Sequence, residues 1–107
     1  MRAIAIDPKL RTVKEVHIRH DANGSLADMQ AAVGGLIELA TTLPNGDDVF
    51  VNDEGLFLYR DFFVIDGAHQ PFAGPAIVLN HTPFGSSRPV RSTVADITNL
   101  ITWGEEL

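Results

Sequence analysis

Residues 36–51, LIELATTLPNGDDVFV, contain the pattern that decides the fold. Two runs with strand-forming residues, 36–42 and 49–51, flank the turn sequence PNGD at 44–47. Pro, Asn, Gly and Asp are typical of tight turns because they preset or tolerate the backbone angles that a turn requires. The stretch therefore predicts two strands joined by a turn and paired antiparallel.

The first twenty residues predict a second pair of strands. Residues 2–6 alternate in the two-residue period of a strand, and residues 12–18 are rich in β-branched side chains. Asp7 and Pro8 separate the two runs, and both residues favour a turn. We expect an antiparallel hairpin with a loop longer than the tightest type.

Two segments carry the signals of helices. Ser25 and Asp28 have the spacing of a capping pair and predict the start of the first helix, which Gly34 would end. Its apolar stripe would consist of Leu26, Met29, Ala32 and Val33. Thr93 and Asp96 form a second capping pair, and we expect this helix to end at 103–104.

The remaining segments are less regular. Residues 56–65, LFLYRDFFVI, favour a strand or a buried loop over a helix because they are rich in aromatic side chains. Residues 67–74 and 81–89 are expected to be loops, and residues 76–79 a short buried strand. Most of the aromatic side chains of 57–63 should pack in the core, since large aromatic residues supply much of the buried area of a small domain.

Together these elements predict an α+β fold. Two helices cannot cover both faces of a large parallel sheet, so we expect a small, mostly antiparallel sheet with two helices packed on one face. The 107 residues are enough for one hydrophobic core and predict a single compact domain over 1–107, with residues 104–107 frayed.

Composition and charge exclude several classes of function. The chain has no cysteine, which excludes disulfides and thiolate metal sites. It has no apolar run long enough to cross a membrane, so we expect a cytoplasmic protein. The net charge is −6, and residues 21–59 contain seven acidic and no basic residues. This balance disfavours nucleic acid as a partner, because phosphates would be repelled.

Four stretches together resemble a known family. They are AIDPKLRTVKEV at 5–16, VGGLIE at 33–38, LPNGDDVFVNDEGL at 43–56 and FFVIDGAHQPFAGPAIVL at 62–79. Their order and spacing are similar to those of domain-of-unknown-function family 3846, which occurs in phages, plasmids and bacteria. The resemblance implies a compact accessory domain carried by mobile elements, with no activity and no catalytic residues attached to it.

No catalytic residue, metal site or cofactor is predicted from the sequence. His17 and His20 would lie on opposite faces of a strand, and His69 and His81 stand alone in loops. The acidic groups at 45–48 and 52–55 are explained by turn formation. None of the serines stands in a motif that places a histidine base beside it.

The sequence therefore predicts a non-enzymatic accessory protein that binds a host protein, with inhibition of a host defence system as a narrower hypothesis. The alternative is a small-molecule or nucleotide binding domain with a pocket between the sheet and the 67–74 loop. An exposed edge strand would also allow a homodimer. We predict these partner-binding residues: Asn52, Asp53, Glu54, Arg60, Gln70, Phe72, Phe84 and Arg88.

Overall fold

The computed structural model describes residues 1–104, apart from the side chain of Ala22. Nine strands and three helices follow one another along the chain. In order, they are β1 (Arg2–Asp7), β2 (Thr12–His17), α1 (Ala22–Val33), β3 (Ile37–Thr42), β4 (Asp48–Asn52), α2 (Gly55–Leu58), β5 (Phe62–Ile65), β6 (Phe72–Ala73), β7 (Ala76–His81), β8 (Ser87–Arg88), α3 (Val94–Leu100) and β9 (Ile101–Trp103). No helix in the described part of the chain is long and apolar enough to cross a membrane.

The larger sheet has the strand order β2-β1-β7-β4-β3, and β8 pairs with one end of β7. Both predicted hairpins, β1–β2 and β3–β4, are confirmed. They are joined by β7, where Val78 pairs with Ile4 on one side and with Val49 on the other. The strands β2 and β3 are the two edges of this strand order. A homodimer formed by pairing of an edge strand stays a prediction.

The two faces of the larger sheet pack against different layers. Alternate side chains such as Val78 lie in one core with the smaller sheet, β6-β5-β9, and with Ile97 of α3. The intervening side chains, such as Ile77, pack on the other face against Met29 and Val33 of α1. The predicted α+β class and the mostly antiparallel sheet are confirmed. The helices lie differently from the prediction, since α1 and α3 cover opposite faces.

The first helix begins earlier than the sequence predicts. Asp21 is the N-cap, and its side chain accepts a hydrogen bond of 2.6 Å from the amide of Gly24. The predicted cap, Ser25, lies inside the helix and donates its hydroxyl to the Asp21 carbonyl at 2.8 Å. Its predicted partner Asp28 accepts instead from Arg19. The predicted end is confirmed, because Gly34 has a φ of 79°, which glycine adopts at low cost.

The ambiguous stretch 56–65 divides into two elements. Its first residues complete the short helix α2, which was not predicted, and residues 62–65 form β5. The predicted loops 67–74 and 81–89 contain the two-residue strands β6 and β8. The predicted strand at 76–79 is confirmed as part of β7.

The last helix confirms one prediction and corrects another. Thr93 and Asp96 form a capping box, as predicted. The helix ends at Leu100 rather than at 103–104, because residues 101–103 form a strand that pairs with β5. The amide of Gly104 then donates to the Phe62 carbonyl at 2.8 Å, so this residue is held in place. The other residues of the predicted frayed tail, 105–107, lie outside the described residues.

Candidate functional site

Among residues 1–104, the one run of consecutive large apolar side chains that are all exposed is on α2. Leu56, Phe57 and Leu58 are consecutive, and they expose 79%, 91% and 57% of their surface. Gly55 is the buried residue of this helix, and a Cβ atom there would lie 2.7 Å from the carbonyl oxygen of Ala73. The helix therefore packs on the protein through its glycine, and the three large side chains point away from the core. We call these three side chains the α2 surface.

Two cavities adjoin the α2 surface, and both lie between α2 and segment 67–74. Their shared wall consists of Leu56, Pro71, Phe72 and Ala73. The larger cavity has a volume of about 440 Å³ and is also lined by Tyr59, Arg60 and Phe62. The smaller one, of about 100 Å³, is lined on its polar side by Glu38, Asn52, Asp53 and Gln70. An apolar side chain from outside could thus be received beside the exposed leucines.

Hydrogen bonds from the residues on either side of α2 connect it to the end of α1. The Nδ2 of Asn52 and the hydroxyl of Tyr59 both donate to the Val33 carbonyl, each at 3.1 Å. This carbonyl is in the last turn of α1, where carbonyl groups lack partners within the helix. The Oδ1 of Asn52 accepts from the Glu54 amide at 2.8 Å. The α2 surface is therefore held by a defined set of bonds.

Six of the eight predicted partner-binding residues lie around α2. Asp53, Glu54, Arg60 and Gln70 are exposed there. Asn52 and Phe72 are buried, and each lines a cavity beside α2 and not the outer surface. Phe72 packs in the core, with its ring centroid 5.9 Å from that of Phe63.

The other two predicted residues lie at the opposite end of β7. Ala76 pairs with Val51 at the α2 end of this strand, whereas Asn80 pairs with Arg88 at the other end. Phe84 lies beyond that end and is 96% exposed. The Nε of Arg88 donates to the Oδ1 of Asn80 at 2.8 Å, and Arg88 is half-buried. The structure therefore does not bring these residues to the α2 surface.

A network of polar side chains near this second end was not predicted. Asp47 is fully buried, and its carboxylate accepts from the amides of Arg91 and Ser92, at 2.9 and 2.8 Å. It also accepts from the Ser92 hydroxyl at 2.6 Å and from side-chain amides of Asn80 and Asn45, at 2.8 and 3.3 Å. Burial raises the pKa of Asp47, but the hydrogen bonds outweigh it and hold the pKa below its ordinary value.

Beside this network, Asp48 pairs with His81. The Oδ2 of Asp48 lies 2.6 Å from the Nδ1 of His81, and the Thr42 hydroxyl donates to Oδ1 at 2.7 Å. The His81 side chain is 47% exposed. In residues 1–104 no hydroxyl is hydrogen-bonded to this imidazole, and no three metal-ligating side chains lie close together. The pair therefore has the geometry of an orienting contact and lacks the nucleophile of a catalytic triad.

One protein-family model, described as Domain of unknown function (DUF3846), matches residues 1–99. The chain belongs to the DUF3846 family. The match confirms the resemblance seen in the sequence and includes both the α2 surface and the Asp47 network. No curated protein and no solved structure matches this DUF3846 chain.

The aromatic residues of the DUF3846 chain are distributed between core and surface differently from the prediction. Phe63 is in the core as expected, but Phe57 is the most exposed residue of α2. The sequence signal that could have indicated the exposure of Phe57 was the run of three apolar residues directly after Asn52-Asp53-Glu54-Gly55. A half-buried strand or helix would have interrupted that run with polar residues.

Proposed function

We propose that this DUF3846 protein is a non-enzymatic accessory protein that binds another protein through the α2 surface. The exposure of Leu56, Phe57 and Leu58 carries the proposal. Contiguous exposed apolar side chains mark interaction sites more often than isolated ones do. Aromatic residues at the centre of an interface commonly supply a large share of the binding energy.

The hydrogen bonds that hold the α2 surface in place also favour binding. The hydrogen bonds of Asn52 and Tyr59 to the Val33 carbonyl hold α2 against the body of the protein. A surface that is already ordered loses less conformational entropy on binding than a flexible loop does. The cavity of about 440 Å³ beside Leu56 would receive a side chain of the partner, and Phe57 would insert into the partner's own surface.

The proposal extends to the kind of partner. The family resemblance supports a host protein as the target of a protein encoded by a phage or another mobile element. Inhibition of a host defence system is the narrower form of this proposal. No residue of the α2 surface can perform acid–base or nucleophilic chemistry, which favours binding over catalysis at this place.

Two matched variants test the proposal. Phe57→Ser removes the ring at the centre of the α2 surface, and Phe84→Ser removes an equally exposed ring at the other end of β7. Both should fold normally, because neither ring is buried. Each purified protein is used as bait in a bacterial lysate, and the captured proteins are quantified by mass spectrometry. Captured candidates are then purified, and their affinities for all three proteins are measured by calorimetry.

We expect a partner that binds the wild-type protein and Phe84→Ser alike, and Phe57→Ser at least tenfold more weakly. Tenfold corresponds to about 1.4 kcal/mol, within the range for truncation of a central aromatic residue. Equal binding by all three proteins would contradict the proposal. Loss with Phe84→Ser alone would place the interface at the other end of β7.

A second function, small-molecule or nucleotide binding, is favoured by the larger cavity. Its volume of about 440 Å³ lies in the range of ligand pockets, and it is beside segment 67–74, where the sequence predicts a pocket. If the protein has this function, at least one compound of a metabolite and nucleotide library should raise its melting temperature. A library without any such compound would count against this alternative.

A further inference from the structure

The acidic residues of segment 21–59 differ in whether their carboxylates already have a hydrogen-bond or ion-pair partner within the protein. Asp21 caps α1, and Asp28 pairs with Arg19 at 2.9 Å. Asp47 is buried among its donors, and Asp48 pairs with His81. These four carboxylates are therefore occupied within the protein.

The three acidic residues that are left are exposed. They are Glu38, Asp53 and Glu54, and within residues 1–104 none of their carboxylates is in an ion pair. All three lie next to the α2 surface. Glu38 and Asp53 line the smaller cavity together with Leu56 and Phe57, and Glu54 is the residue directly before α2.

Unused negative charge is thus concentrated beside exposed apolar side chains. Segment 21–59 supplies no lysine or arginine to neutralise it. The positive charges of the N-terminal segment are on β1, on β2 and in the flanking turns, and none of these side chains lines the smaller cavity. Arg60 lines the larger cavity, on the other side of the wall that the two cavities share. The rim of the smaller cavity is therefore acidic.

We infer that the partner of the α2 surface is a segment of another protein that carries large apolar side chains next to lysine or arginine residues. This inference rests on the proposed function and specifies its ligand. The apolar side chains cover Leu56 and Phe57, and the basic side chains face Glu38, Asp53 and Glu54. Charges at the rim of an interface mainly set association rate and selectivity, while the apolar centre supplies most of the affinity.

A peptide-display library with random sequences tests the inference. It is selected on the wild-type protein and on Phe57→Ser, and peptides that bind only the wild-type protein are kept. Their affinities are measured by fluorescence polarisation at low and high salt. The same peptides are tested on the triple variant Glu38→Gln, Asp53→Asn, Glu54→Gln, which removes the acidic rim.

A control variant changes the net charge by the same amount elsewhere. Asp66→Asn, Ala95→Lys and Asn99→Lys together also raise the net charge by three, by removing one negative charge and adding two positive ones, and all three positions are exposed. This variant separates a local effect of the rim from general attraction between an acidic protein and basic peptides.

We expect the retained peptides to combine apolar residues with an excess of lysine and arginine. The rim variant should bind them about tenfold more weakly, with a smaller salt dependence, since three rim ion pairs contribute modestly each. The control variant should bind within about threefold of the wild-type protein. Retained peptides without basic residues would overturn the inference and leave the proposed function intact. A library that yields no Phe57-dependent peptide would overturn both.

Discussion

Replacement of Asp47 by asparagine should remove a large part of the stability of the fold. The carboxylate accepts hydrogen bonds on both oxygens: Oδ1 from the Arg91 amide and Asn80, and Oδ2 from the Ser92 amide and hydroxyl. In Asp47→Asn, one of these oxygens becomes an NH₂ group. Whichever way the new amide is turned, it faces at least one backbone N–H that then has no acceptor.

The expected loss follows from these contacts. An unsatisfied buried donor costs about 1–3 kcal/mol, and a hydrogen bond to a charged group is worth roughly 1.5–3 kcal/mol. Because the effects overlap, we expect the free energy of unfolding to fall by about 3–5 kcal/mol, as for other buried charged groups that lose a partner. Small domains have about 5–15 kcal/mol in total, so Asp47→Asn should be marginally stable.

The assay is urea unfolding at neutral pH, followed by the fluorescence of Trp103, the one tryptophan of the chain. The control is Asp53→Asn, the same substitution at an exposed acidic residue, which should change stability by less than about 0.5 kcal/mol. A loss below about 1 kcal/mol for Asp47→Asn, with an unchanged slope against urea, would refute the reasoning.

The same carboxylate predicts a dependence on pH. The pKa of Asp47 in the folded protein is below its value in the unfolded chain, about 3.9. Its contribution is therefore present above the unfolded pKa and is lost as pH falls through the folded pKa. The pKa of Asp28 is also lowered, by its hydrogen bond to Arg19, and this contribution remains in the variant. Urea midpoints from pH 7 to pH 3 should thus fall more steeply for the wild-type protein, and parallel curves would contradict the assignment.

Three further changes test the packing and the turns by urea unfolding. Phe63→Ala removes the largest fully buried side chain among residues 1–104 and should cost about 3–5 kcal/mol; a cost below about 1 kcal/mol would mean that the core between the sheets is misplaced. Thr93→Ala breaks the capping box and should cost about 0.5–2 kcal/mol, with Val94→Ala as a neighbouring comparison. Gly74→Ala should cost more than about 1 kcal/mol, because Gly74 has a φ of 82° and a Cβ atom would collide with the Tyr59 ring; a neutral result would contradict this backbone conformation.

Local signals predicted the elements whose stability is set by neighbouring residues. The turn at 44–47 and the capping box at Thr93 were both identified, because a few adjacent side chains and backbone angles determine them. The wrong predictions concern elements whose bounds depend on pairing with strands that are distant in sequence. The last helix ends at Leu100 because residues 101–103 form β9 and pair with β5. No residue pattern near position 100 predicts β9.

The candidate site was only partly predictable for the same reason. Segment 52–54 and Arg60 were predicted to bind a partner, but the exposure of Phe57 depends on Gly55 packing against Ala73, eighteen residues away in sequence. The role of Asp47 was missed because its position in a PNGD sequence already explained it as a turn residue. Its closest donors come from residues 80 and 91–92, which only the folded chain brings near.

The position of β7 at the centre of the larger sheet has a consequence for synthesis of the chain. The two hairpins that flank it are complete by residue 52, yet no strand pairing joins them directly. A nascent chain that ends before residue 76 therefore has two separate ribbons, each with an unprotected side that other chains could join. During synthesis on the ribosome, these two ribbons can form one sheet only after residues 76–81 have emerged.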